Sequence, residues 1–311
     1  MTTGPPLISV CLPVYNARRY VAQAVESILG QTLGDFEFLI LDDGSTDGSR
    51  PILEGYAARD PRIRLTSRAN RGLVATLNEL IDQARGEFLA RMDADDIALP
   101  DRFRRQVDYL RAHPECSVVG CRARLIDPDG DPLCDWFTER PHEEIDTLLL
   151  REDAVGSVIC HPSVLMRRDA VLAAGKYRDF AVGEELDLFL RLAESSRLAI
   201  LPDVLLEYRQ HPESFTHRPL QRTVRPDCRR AIVADARRRR NLPRPPAPAA
   251  PIPAAAPTAS QAAASDRENW VWWALGAGNV GTARKHAWRI FARNPLALRS
   301  WRLVYCALRG R

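Results

Sequence analysis

Short apolar runs recur along the N-terminal part of the chain: LISVCL (Leu7–Leu12), FEFLIL (Phe36–Leu41), RIRLTS (Arg62–Ser67), EFLARM (Glu87–Met92) and SVVGC (Ser117–Cys121). Each is short, apolar and bounded by turn formers, which reads as a buried strand. Between the first two, Val21, Ala24, Val25, Ile28 and Leu29 fall at helical spacing. Ahead of the fourth, Leu73, Leu77, Leu80, Ile81 and Ala84 do the same. Strand and helix alternating in units of roughly 30 residues leave one class of fold. The expectation is an α/β protein with a mostly parallel, Rossmann-like central sheet flanked by helices on both faces. In open sheets of this kind the ligand crevice lies beyond the carboxyl ends of the strands.

The segment after each strand is polar: PVYN after the first, DDGSTDGS after the second, RANRG after the third and DADD after the fourth. Asp, Gly, Ser and Asn are turn formers, which accounts for much of DDGSTDGS. DADD (Asp93–Asp96) resists that account, since a turn gains nothing from three carboxylates that repel one another. Read as an extended segment, it places Asp93 and Asp95 on one side and Asp96 on the other. Two converging carboxylates form a hard oxygen site suited to Mg²⁺ or Mn²⁺, with phosphate and water completing the shell. Asp96 reads as a capping or structural acid ahead of a helix that begins near Pro100.

Taken in order, ISVCLPVYNARRYVAQAVESILGQT, FLILDDGSTDGS, RGLVATLNELIDQARGEFLARMDADD, HPSVLMRRDAV and EELDLFLRL resemble the family 2 inverting glycosyltransferases with the A-type (GT-A) nucleotide-sugar fold, from about Ile8 to His211. The resemblance implies a metal-dependent transfer of a sugar from a nucleoside-diphosphate donor, UDP-linked, to a hydroxyl of a saccharide or lipid-linked acceptor. Cell-surface polysaccharide or glycolipid synthesis is the setting it implies. On matching positions it places Pro13, Tyr15, Asp43, Asn70 and Asp93 at the nucleoside. Asp95 becomes the surest ligand of Mn²⁺ or Mg²⁺, joined by Asp93 and, late in the chain, His211. A Tyr face can stack on a base, and a carboxylate can accept from an imide N–H or a ribose hydroxyl. His161 is placed as structural or acceptor-lining.

Inversion also needs a base for the acceptor proton. The family draws it from a Glu-Asp pair at a helix start, and here the pair is Glu184-Glu185, so the base position Glu185 carries Glu where Asp is usual. The two acids share nearly the same unperturbed pKa and differ by one methylene, so basicity is kept while reach changes. The alternative implied by the substitution is a catalytically impaired scaffold that still binds nucleotide sugar. Absence of GxGxxG and GxxxxGK[ST] patterns argues against dinucleotide, P-loop and nucleotidyl-transfer chemistry.

Charge divides the chain unevenly. Residues 1–220 hold 26 Lys and Arg against 36 Asp and Glu, whereas residues 221–311 hold 18 against 4. The expected layout is a catalytic domain at 1–220, a basic helical segment at 221–242, a Pro/Ala-rich linker at 243–265 that cannot bury a core, and a small C-terminal helical tail at 266–311. In the tail Ala283, Ala287, Ile290 and Phe291 share one helical face, with Lys285, Arg289 and Arg293 on another; Leu298, Trp301, Val304, Tyr305 and Leu308 repeat the pattern. Such helices suit either a hairpin that packs on the protein or attachment to an anionic membrane surface. No nucleic-acid-binding motif accompanies the basic charge. Seven scattered cysteines, without metal-ligand spacing, read as reduced thiols. An N-terminus without a basic, apolar leader points to a cytoplasmic protein, peripheral at the inner face of the cell membrane if the tail binds there.

Overall fold

The computed structural model describes residues 4–154, 157–212, 219–243 and 259–310, with side chains of the helical residues 219–226 and 259–266 left aside. Residues 244–258 of the expected Pro/Ala linker lie outside the described residues. Two compact units emerge: Met1–Ala123 with Phe137–Glu207 and Thr223–Pro245, and Arg124–Trp136 with Tyr208–Arg222 and Pro246–Arg311.

In the first unit the alternation is realised as β1 (Ile8–Val14), α1 (Val21–Leu29), β2 (Phe36–Asp42), α2 (Ser49–Ala57), β3 (Ile63–Ser67), α3 (Leu73–Gln83) and β4 (Phe88–Arg91). Along the chain there follow β5 (Ile97–Ala98), α4 (Arg102–Ala112), β6 (Cys116–Ile126), β7 (Pro132–Trp136), which lies in the second unit, α5 (His142–Leu149), β8 (Leu165–Arg167), α6 (Arg168–Ala173), α7 (Glu184–Leu192), β9 (Arg197–Arg209) and α8 (Pro219–Arg239). Among the described residues the sheet order is β3-β2-β1-β4-β8-β6-β9-β5, with β7 on β6. β1 pairs β2 and β4 in parallel, and β2 pairs β3 in parallel. β8 then enters antiparallel between β4 and β6.

The parallel half and its flanking helices are the arrangement expected from the sequence; the antiparallel wing is an addition with a consequence for the site. β1 and β2 are buried along their whole length, which is why they read as unbroken apolar runs and not as alternating ones. α1 turns Val21, Ala24, Val25 and Ile28 inward, the helical spacing read in the sequence. Two fully buried polar side chains tie the wing to the parallel half. Arg102 donates to the carbonyls of Arg91 (2.7 Å) and Val164 (3.3 Å), and Gln106 donates to those of Val119 (2.9 Å) and Ser163 (2.7 Å). Buried donors must find acceptors, so these bonds fix the end of β4 against the segment before β8.

The second unit joins the ends of β6 and β9 and the strand β7 to α9 (Ala259–Gly276), α10 (Val280–Arg293) and α11 (Leu298–Arg309). Its core gathers Leu125 and Leu133 with Trp270, Val271, Ala283 and Leu303. The helices of the basic tail therefore share a core with the β6–β7 hairpin, which the sequence-based boundaries leave in the catalytic domain. No helix among the described residues is long and apolar enough to cross a membrane.

Candidate active site

The rim begins where β1, β2 and β3 end. Asp43 is buried, and both its oxygens are taken by the β3–α3 loop: Arg71 N donates at 2.9 Å, Gly72 N at 2.9 Å, and the Arg68 guanidinium pairs with it as well. Asn70 donates its side-chain amide to the Asp43 carbonyl at 2.9 Å. Gly44 between the loops has φ +79, and a Cβ there would meet Asn70 N at 2.8 Å, so DDGS requires glycine at that point. Asp43 and Asn70, assigned to the nucleoside, thus brace the loop themselves. With three donors on two carboxylate oxygens, Asp43 keeps about one acceptor position for a ligand. The β1 and β2 loops are stitched in the same way, through Asn16 N to Ser45 Oγ (2.9 Å) and Thr46 N to Asn16 Oδ1 (2.8 Å). Pro13 is buried within β1, and Tyr15 just beyond it is 47 % exposed, presenting its ring on the rim.

DADD follows β4 directly, and the chain turns at Ala94–Asp95 before β5. The turn overrides the alternation expected of an extended segment. One carboxylate oxygen from each of Asp93, Asp95 and Asp96 can lie within 4.8 Å of the other two, so Asp96 faces inward with its neighbours although it is fully buried. Arg91, the last residue of β4, is buried and pairs with Asp93 at 2.5 Å. Burial pushes the Asp93 carboxyl above the ordinary carboxylate range, Arg91 pulls it down, and the charges of Asp95 and Glu185 push it up again. One guanidinium does not neutralise this group of acids.

A second grouping was not legible in the sequence. His161, Glu184 and Glu185 bring one ligand atom each within 4.8 Å of one another. His161 opens a short 3-10 turn, His161–Ser163, ahead of β8, and its Nε2 lies 2.8 Å from the Tyr177 hydroxyl, with Phe189 edge-on to its ring. Burial, reinforced by the Arg91 charge, holds its pKa well below the ordinary value, so the imidazole is neutral. Glu184 and Glu185 open α7. Burial, and then the Glu185 charge, push the Glu184 carboxyl up to about 8. Glu185 is half-buried and accepts from Ser157 Oγ at 3.1 Å. Asp187, two residues on, is fully buried and holds Arg191 at 2.7 Å, a structural pair.

The Glu185 charge acts on Asp93, and that of Asp93 on Glu184. The two groupings therefore face one electrostatic environment, as expected when β8 is threaded beside β4. His161 could have been found only by noticing that an apolar run ends at a His-Pro pair; nothing in its spacing links it to Glu185. His211 is buried and belongs to the second unit.

A family model described as "Glycosyl transferase family 2" matches residues 9–173. EpsE of Bacillus subtilis (strain 168), which carries a glycosyltransferase name, is 33% identical over 224 residues, 70% of this chain and 78% of that one. Chondroitin synthase of Escherichia coli is 30% identical over 190 residues, 61% of this chain but 27% of that longer protein. Among solved structures, the mannosyltransferase PcManGT from Pyrobaculum calidifontis, in complex with GDP-Man and Mn²⁺, aligns with a TM-score of 0.58 at 19% identity, covering 99% of this chain and 86% of that one. TarS 1–349 of S. aureus with UDP-GlcNAc aligns at 0.55 and 14% identity, over 98% and 92%. At such identities the likeness speaks to the fold.

Proposed function

Because the chain belongs to glycosyl transferase family 2 and is a transferase with the GT-A fold, we propose that it is a metal-dependent, inverting enzyme. In this reading it moves a sugar from a nucleoside-diphosphate donor to an acceptor hydroxyl. The observation that carries the reading is the pairing of two acidic groupings, Asp93-Asp95-Asp96 and His161-Glu184-Glu185, coupled across the rim of β4.

Three carboxylates converging around one guanidinium fit a divalent cation, because such an ion offsets the burial, and after it the Asp95 and Glu185 charges, that lift the Asp93 pKa. Asp95 and Asp93 would hold Mn²⁺ or Mg²⁺. When bound, the ion stabilises the charge that builds on the leaving diphosphate. Tyr15 offers its face to the base, and the Asp43–Asn70 brace keeps the rim loops in place to receive the nucleoside. Arg91 holds Asp93 in orientation.

Glu185 accepts the proton of the acceptor hydroxyl as its oxygen bonds to the anomeric carbon; the bond to the diphosphate breaks on the opposite side and its electron pair leaves with the phosphate. Glu184, carrying its own proton at neutral pH, does not compete for that proton. Ser157 keeps the Glu185 carboxylate turned inward. A UDP-linked donor, a saccharide or lipid-linked acceptor and a place in cell-surface polysaccharide or glycolipid synthesis at the inner face of the membrane complete the reading. The name of the Escherichia coli relative supports the polysaccharide setting.

A screen of nucleoside-diphosphate sugars with Mn²⁺, scored by nucleoside diphosphate release, tests the reading with Glu185→Gln beside the wild type. The variant is expected to lose roughly 10²-fold or more in transfer while still binding nucleotide. Near-normal transfer by it removes the base role. A wild type that binds nucleotide but transfers from no donor replaces the enzyme with a nucleotide-sugar-binding scaffold.

A further inference from the structure

We propose that the α10–α11 corner of the second unit docks on an anionic lipid bilayer, with the connecting turn inserted among the headgroups. This surface owes nothing to the donor chemistry of the first unit. Packing of α9, α10 and α11 uses one face of α11, where Ser300, Leu303, Val304 and Ala307 are buried. A second apolar face remains. Leu298, Trp301, Tyr305 and Leu308 recur along it at helical spacing, and all four are exposed.

The turn that joins α10 to α11 carries Leu296 at 94 % exposure, and Leu298, which opens α11 just after it, is 87 % exposed. Two leucines held almost wholly in water at one turn are a cost that burial elsewhere would recover. Beside them, Trp288 and Trp301 both pack edge-on to Phe291, with centroids at 5.5 and 4.6 Å, leaving about half of each indole exposed. Indoles with an apolar body and a polar tip suit the headgroup level of a bilayer.

Charge selects the partner. Residues 280–310 contain seven Lys and Arg and no Asp or Glu. Lys285 and Arg289 are drawn to the acidic turn Asp127–Asp131 of the same unit, and Arg299 pairs with Glu268 at 3.3 Å. Arg302 and Arg309 lie over the Trp272 and Tyr305 rings at 5.6 and 4.8 Å, a placement that keeps a guanidinium beside an apolar surface. An exposed apolar stripe on helices that carry basic and no acidic residues matches an anionic headgroup layer, in which long basic side chains reach the phosphates while their stems lie on the apolar zone. The helices are too short and too charged to cross it, so the unit lies on the surface.

The full-length protein is sedimented with phosphatidylcholine vesicles and with vesicles holding about a third phosphatidylglycerol, at low salt and at roughly 1 M salt. Binding is expected to favour the anionic vesicles by about tenfold and to fall several-fold in high salt. Leu296→Ser with Leu298→Ser should weaken it by roughly tenfold, since both insert, and Arg293→Gln with Arg302→Gln should flatten the salt dependence. Nucleotide binding, measured by calorimetry on the same variants, stays at the wild-type value, which separates this surface from the donor site. Equal partitioning into neutral vesicles, or an unchanged response in the leucine pair, overturns the proposal. So does vesicle-free self-association that the leucine pair abolishes, which would assign the face to a second copy of the chain.

Discussion

Glu184→Gln should make the protein more stable at neutral and alkaline pH, although it removes a charged residue type from a helix start where acids are ordinarily favourable. The native carboxyl is buried at 5 % exposure beside Glu185 and is pushed up to about 8 from an ordinary 4.5. A native acid pKa above the unfolded one means that the native state holds a proton the unfolded chain has released. Stability from this group is fully present below the unfolded value and is lost as pH rises toward the folded one. The slope is about 1.4 kcal/mol per pH unit, so between pH 5 and 8 the wild type should lose on the order of 3 kcal/mol that Gln, unable to titrate, does not. Urea unfolding of both proteins in a chelator, followed by circular dichroism at several pH values, reads the difference. The curves should nearly coincide at pH 5 and separate steadily above it. A difference that stays constant with pH, or a wild type that gains on the variant as pH rises, would refute the burial argument for Glu184.

Asp95→Asn keeps size and removes charge, so calorimetry with a nucleoside diphosphate should show affinity that no longer responds to Mn²⁺; an undiminished metal response would strike Asp95 from the ligand set. Asp43→Ala strands the Arg71 and Gly72 amides and the Arg68 guanidinium, so thermal unfolding should register a loss of about 2–4 kcal/mol with nucleotide binding weakened alongside; an unchanged midpoint would contradict the brace. In the second unit, Lys285 pairs with Asp127, Asp129 and Asp131 together, and His286 Nε2 lies 2.8 Å from Asp127. Burial alone would raise the Asp127 pKa, but its bonds to His286 and Lys285 hold it well below the ordinary range, so its stabilisation is present above about pH 4 and lost in acid. Lys285→Ala should therefore cost roughly 1–3 kcal/mol at pH 7, keep most of that near pH 4 and lose it only in stronger acid as pH falls through the depressed folded value, checked by denaturant titration across that range.

Periodicity in the sequence was enough for the parallel half of the sheet. β1 and β2 are buried on both faces and so had to be written as unbroken apolar runs, and α1 and α3 each bury one face and so had to repeat at helical spacing. The rim loops were legible for the same reason: they follow those runs, and DADD carries more negative charge than a turn can use. Local pattern does not encode what tertiary structure brings beside a residue. Whether Asp96 points toward Asp93 depended on a turn at Ala94–Asp95 that an alternation rule cannot foresee. The His161-Glu184-Glu185 grouping joins segments more than twenty residues apart, and its charge reaches Asp93 in a sheet order set by the antiparallel entry of β8, a long-range pairing with no signature in either segment. On α11 the sequence showed an apolar stripe through Leu298, Trp301, Val304, Tyr305 and Leu308, yet of these only Val304 is buried. The inward face is lined by Ser300 and Ala307 beside Leu303 and Val304, because small side chains let helices approach closely and bulky aromatics at the same contact would hold them apart. Which apolar face a helix buries is decided by the shape of its neighbour, and that is written elsewhere in the chain.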